Sequence, residues 1–257
     1  TAHSDSWLLF TALLGTYLIS RNRSLGWNMA GLVTLIASFW FKQHGALFVV
    51  GAVLYLTWRE GVRRALPYWL VAADGGPVLY VAAGPVLFGS HFHYFTWEVP
   101  RQWSQFDLHT IRRLASFVIK NYAVLAAAGG LLVVWDVLRR RQQVSIWHFQ
   151  FVAGGLSGLM GALDAGSSQN VFIPMGALFI ILGVAALAQI SRNAFVTRYR
   201  LQYVAVFLAF ALFLYNPLPI VASHQAKAAY GDLVWLLNDL NGPVYAPSLG
   251  QLPEGYT

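Results

Sequence analysis

Asp5 stands at the start of one long apolar run, and Lys42-Gln43-His44 stands at the end of the next. If both runs are helices joined by a short hairpin, the two polar ends meet at one membrane surface. A carboxylate beside an ammonium group there can hold a phosphorylated or metal-bound headgroup. An interfacial ion pair or a snorkelling Lys has the same pattern. Asp74 is a different case, because it lies inside an apolar run, in Ala73-Asp74-Gly75-Gly76-Pro77. A lone charge in that position costs several kcal/mol, of order 3. Gly-Gly-Pro also breaks a regular helix, so two half-helices around a polar point are expected. Such a carboxylate serves a proton or ion relay, or is a hydrogen-bonded packing residue. A third set lies in 90–111, read as a loop: His91, His93, Tyr94, Trp97, Glu98, Arg101, Trp103, Asp107 and His109. His91-x-His93 together with Glu98 offers donor types that a divalent metal accepts. Trp, Tyr and Arg suit contact with carbohydrate or a lipid headgroup. The stretch from Asp164 to Asn170 is too apolar around its single carboxylate for a Ca loop of the EF-hand type.

These residues need elements to position them, and composition says which kind. The chain has 257 residues, of which 57% are hydrophobic and only 11% charged, and its mean hydropathy is +0.54. A soluble core cannot absorb that apolar share, and 15% aromatic residues without low-complexity tracts exclude disorder. Apolar stretches at 5–20, 25–41, 45–58, 65–89, 114–135, 145–163, 171–190 and 203–222 are separated by polar or basic punctuation. The expected fold class is all-α: a polytopic membrane bundle of about eight transmembrane helices over 1–222. Beyond it, 223–257 reads as the start of an extracytoplasmic α/β domain. It opens with an amphipathic helix over 229–240, followed by a turn entering a strand at 242–247.

The net charge of +7 fits topology rather than nucleic acid. Arg21, Arg23, Arg59, Arg63, Arg64, Arg139, Arg140, Arg141, Arg192, Arg198 and Arg200 all fall in every second loop. Those loops are read as cytoplasmic. Asp5, Glu98, Asp107, Asp164, Asp232, Asp239 and Glu254 fall on the other side. Zero Cys removes thiolate catalysis and Cys-based metal sites. Walker A, G-x-G-x-x-G, H-E-x-x-H and G-x-S-x-G motifs are missing, which argues against nucleotide-driven pumps, soluble dehydrogenases, zincins and common serine hydrolases.

Ser4-Asp5-Ser6 opening a helix, with Phe39-Trp-Phe-Lys42-Gln43-His-Gly-Ala closing the next, resembles the "D-s … t-K-Q-t-a" hairpin of bacterial integral-membrane glycosyltransferases of the GT-C superfamily. Protein O-mannosyltransferases and lipid A aminoarabinose transferases are relatives. Phe92–Pro100 is similar to the family's aromatic outside segment, and Asn170-Val-Phe-Ile-Pro174 to its helix start. Tyr215-Asn-Pro217 and Gly242-Pro-Val are similar to its passage into an outside domain. The resemblance implies an enzyme that moves a sugar from a polyprenyl-phosphate carrier to a lipid, glycan or protein acceptor. It works on the extracytoplasmic face of a bacterial inner (cytoplasmic) membrane, without nucleic acid. It puts Asp5 at the family's second acidic position and Lys42 near the lipid phosphate. Gln43, His44, His93, Trp97, Glu98 and Arg101 join Lys42 as expected substrate-binding residues. No metal-ligand set is assigned, although a divalent metal is compatible with the chemistry. The family's first helix and main catalytic base would precede Thr1, so the chain is expected to be a fragment inactive alone. The alternative is a multipass transporter or flippase with Asp74 in its substrate or proton pathway.

Overall fold

The computed structural model describes residues 4–21, 24–103, 108–163 and 169–211, together with 228, 230–232, 235 and 239. Contacts divide the chain into Thr1–Phe213 and Leu214–Thr257. The described residues of the second unit are helical and exposed. The expected strand at 242–247, the segment at 215–217 and the acidic positions 107, 164 and 254 lie outside the described residues.

All regular elements among the described residues are helical. In order they are α1 (Ser4–Ser20), α2 (Leu25–Phe41), α3 (Gly45–Glu60), α4 (Val62–Ala73) and α5 (Leu79–Phe88), followed by α6 (Val99–Trp103) and α7 (Leu108–Arg139). Then come α8 (Ile146–Leu163), α9 (Ile173–Ile190), α10 (Ala194–Arg198) and α11 (Leu201–Ala211). Each apolar stretch read from the sequence therefore carries a helix. Among the described residues three spans are long and apolar enough to cross a membrane, fewer than the eight expected: Val62–Phe88, Thr110–Arg139 and Asn170–Ile190. The reason is length and polarity. The first three helices have 17, 17 and 16 residues, which at about 1.5 Å per residue falls short of a ~30 Å hydrocarbon core. Helix α8 buries His148 and Gln150 within its 18 residues.

Local chemistry sets the helix ends. The Ser24 hydroxyl accepts the Trp27 N–H at 3.4 Å and opens α2. Lys42 adopts extended backbone and closes α2. Gly61, at φ +85°, turns the chain from α3 into α4, a conformation that L side chains resist. Pro174 sits in the first turn of α9, where its missing N–H costs nothing.

Successive long helices run antiparallel and pack closely through small residues. A Cβ on Gly15 would stand 2.6 Å from the Gly31 carbonyl oxygen, so the α1 and α2 backbones nearly touch. Gly183 approaches Leu125 of α7 in the same way, at 2.6 Å. Lipid gives helices no hydrophobic drive toward one another, so close approach through glycine is what holds such a pair. Leu8, Leu32, Leu35, Phe48, Leu56 and Tyr68 form the core of α1–α4. Phe172, Met175 and Phe179 form a second cluster against Tyr122 and Phe151. The Gln150 amide ties α8 to α3 by donating to the Phe48 carbonyl at 2.9 Å.

Candidate functional site

The antiparallel hairpin of α1 and α2 decides where Asp5 and Lys42 go. Asp5 lies in the first turn of α1, and Lys42 is the residue at which α2 stops. Lys42 Nζ stands 2.6 Å from Asp5 Oδ1, with the Asp5 side chain 6% exposed and the Lys42 side chain 27%. The carboxylate's other oxygen, Oδ2, accepts from Asn170 Nδ2 at 2.6 Å, across 165 residues of sequence. Asn170 belongs to a 3-10 turn, Gln169–Phe172, that leads into α9. Both oxygens of one buried carboxylate are thus satisfied, one by a cation and one by an amide. The sequence singled out the Asn170 segment as a helix start but gave no sign that it reaches Asp5.

Lys42, Gln43 and His44 line a cavity of about 750 Å³. Its walls are aromatic. Tyr80 of α5 lies 4.9 Å from Phe39 and 4.8 Å from Phe92 between ring centroids, and Trp40 meets Tyr80 at 5.3 Å. Gln43 donates its amide to the Thr96 carbonyl, which fastens the end of α2 to the 91–103 segment. An ammonium group at the rim of an aromatic chamber can meet an anionic group attached to an apolar chain or a sugar ring.

The 91–103 segment differs from the loop expected. It is helical, with a π turn at Tyr94–Glu98 continuing into α6. Helical spacing then sorts its residues. His91, Phe92, Phe95, Thr96 and Pro100 line the cavity, whereas His93, Trp97, Glu98 and Arg101 do not. His93, Trp97 and Arg101 recur every fourth residue along another, exposed face. His93 Nδ1 and Glu98 Oε1 approach to 3.4 Å with both side chains more than half exposed. Such a pair contributes little on its own. Among the described residues no three His, Asp or Glu side chains converge to hold a metal ion.

Asp74 sits at the expected break. A π turn at Asp74–Val78 separates α4 from α5, and Gly76 leaves helical geometry at φ −89° and ψ −107°. The Gly75 carbonyl finds a partner in the Trp40 indole N–H at 2.9 Å, and Asp74 itself is exposed.

The opposite end of the bundle holds polar groups that the sequence reading missed. Asn28 of α2 donates to Glu60 Oε1 at 3.3 Å and to the Tyr68 hydroxyl at 3.2 Å, clasping α2, α3 and α4. Asp136 near the end of α7 meets His148 Nε2 at 3.0 Å, and both are buried. The Ser145 N–H donates to His148 Nδ1 at 3.1 Å, so the neutral ring carries its proton on Nε2, facing Asp136. A polar residue just before a helix and another three positions on is a legible cap pattern. No protein-family model, curated protein or solved structure matches this chain.

Proposed function

We propose that the protein is an integral-membrane glycosyltransferase that takes a sugar from a polyprenyl-phosphate carrier and passes it to a lipid, glycan or protein acceptor. The supporting observation is the junction at Asp5: segments around residues 5, 42 and 170, each resembling a separate piece of the GT-C pattern, join through hydrogen bonds to one carboxylate. In this reading the acceptor hydroxyl attacks the anomeric carbon and gives up its proton to a carboxylate base. The bond from sugar to phosphate oxygen breaks, and the electron pair stays on the phosphate. Lys42, held at the cavity rim by Asp5, neutralises the departing phosphate. The aromatic walls take the first isoprene units and the sugar face. In this reading the long apolar helices cross a bacterial inner membrane, with the basic loops cytoplasmic and the Asp5 end outside.

The test is sugar transfer in membranes carrying the full-length protein. Asp5→Asn and Lys42→Ala are each expected to lower transfer by at least ~100-fold at unchanged insertion. Lys42→Arg is expected to recover part of the donor affinity. Full activity in both variants would end the reading. The break at Asp74–Val78 favours a second one, a transporter or flippase with Asp74 in its path. Loss of ion-coupled uptake in Asp74→Asn, with Asp5→Asn silent, would put it first.

A further inference from the structure

We infer that a second cavity, walled by Arg112, Arg113, Ser116, Lys120 and Asn121 of α7 and by Phe172, binds the phosphate group of a membrane lipid at a place separate from Asp5 and Lys42. The cavity has a volume of about 500 Å³ and shares no lining residue with the aromatic chamber. The turn Gln169–Phe172 takes part in the surroundings of both Asp5 and the second cavity. Asn170 holds Asp5 on one side, and the Phe172 ring lies 5.8 Å from the Arg113 guanidinium on the other.

Three cations crowd the first turns of one helix, and charge bias does not account for them. They sit at the end of the bundle opposite the basic loops around Arg59–Arg64 and Arg139–Arg141. Arg112 and Lys120 form no ion pair among the described residues, and the one acid on α7, Asp136, lies at its far end beside His148. Arg112, Ser116 and Lys120 are spaced four residues apart, which lines them along a single stripe. Like charges on one stripe repel, so an anion between them relieves a standing cost. Guanidinium groups suit phosphate best, because two N–H donors match two phosphate oxygens.

Depth identifies the phosphate as lipid-borne. Thr110–Arg139 is 30 residues long, or about 45 Å, against a hydrocarbon core of ~30 Å. Trp135 and Arg139 mark one interface. Counting about 20 residues back from Arg139 reaches Lys120 at the other hydrocarbon border. Arg112 and Arg113 then lie in or just beyond the headgroup layer, and their long side chains reach its phosphates. This assignment stands apart from the transferase reading and survives its failure.

The chain has no Cys, so Ser116→Cys installs a unique thiol on the cavity wall. The full chain would be reconstituted in phosphatidylcholine nanodiscs and labelled with a neutral maleimide. Doping with a prenyl monophosphate or with phosphatidylglycerol is expected to slow labelling about tenfold, and the stronger of the two shows whether a monoester or a diester is preferred. Arg112→Gln with Lys120→Gln in the same background is expected to abolish that protection. Arg63→Gln with Arg64→Gln, which removes equal charge elsewhere, is expected to leave it intact. The inference is overturned if neither lipid slows labelling, or if protection persists without the cations. It is also overturned if inorganic phosphate at equal concentration protects as well as the lipids do. Should the double variant fail to insert, each single variant is expected to lose protection severalfold, and unchanged protection in both overturns the inference.

Discussion

Two buried carboxylates stand at opposite ends of the bundle, and their surroundings differ in access rather than in type. Asp5 has both oxygens partnered, by Lys42 and Asn170, and its cation is partly exposed on the rim of an aromatic chamber. Asp136 has one oxygen against His148, while Oδ1 is buried without a hydrogen-bond partner among the described residues. The nearby cavity, about 310 Å³, is lined by His148 and otherwise mainly by apolar residues such as Leu47, Val133 and Val137. The contrast separates chemistry from scaffolding. A charged group acts on an anionic ligand only where it is itself exposed to space that a ligand can enter, as Lys42 is. His148 and Asp136 are both buried beside a largely apolar cavity, and that pair fixes the ends of two helices.

That contrast breaks or sharpens in four measurements. Asp136→Ala is expected to have the largest effect on stability, about 3 kcal/mol, because it strands His148 in an apolar site. Thermal unfolding in detergent reads the loss, and transfer per folded molecule should stay unchanged. Gly15→Val comes next at about 2 kcal/mol, since its side chain must push α2 away from α1. By separating Asp5 from Lys42 it should lower transfer as well, so a variant that is less stable yet fully active would contradict the link between hairpin and site. Asn170→Leu is expected to cost about 1 kcal/mol by leaving Asp5 Oδ2 without its donor, again with a fall in transfer. The smallest stability change, below ~1 kcal/mol, is expected for Lys42→Ala, because Lys42 is partly exposed at the cavity and its truncation lets water reach Asp5 Oδ1 in its place. If Lys42→Ala destabilised the protein as much as Asp136→Ala, the two ends would be alike after all.

Helix positions were legible because apolar runs and basic punctuation are local signals. The expected 25–41 stretch is the observed Leu25–Phe41, and 145–163 differs by one residue from Ile146–Leu163. Proximity of Asp5 and Lys42 was legible too, since a two-helix hairpin returns the chain to its starting level. The number of spans was overread, because hydropathy marks an apolar helix without fixing whether its length crosses a bilayer. The 91–103 segment was misread because alternating His and aromatic residues suggest an interfacial loop. A helix there turns His91 and Phe95 toward the aromatic cavity and His93 and Trp97 away from it. The Asp5–Asn170 contact was invisible because it depends on how α1, α8 and α9 meet, which no local pattern encodes.

The 165-residue separation of that contact also has a meaning in time. During synthesis at 5–20 residues per second, Asp5 emerges on the order of ten to thirty seconds before Asn170. Through that interval α1 and α2 can already pair, so Lys42 can serve as the carboxylate's early companion. The amide arrives only when the ninth helix takes its place. The junction at Asp5 is therefore completed only once α9 has been made, and its formation reports that the chain has inserted that far.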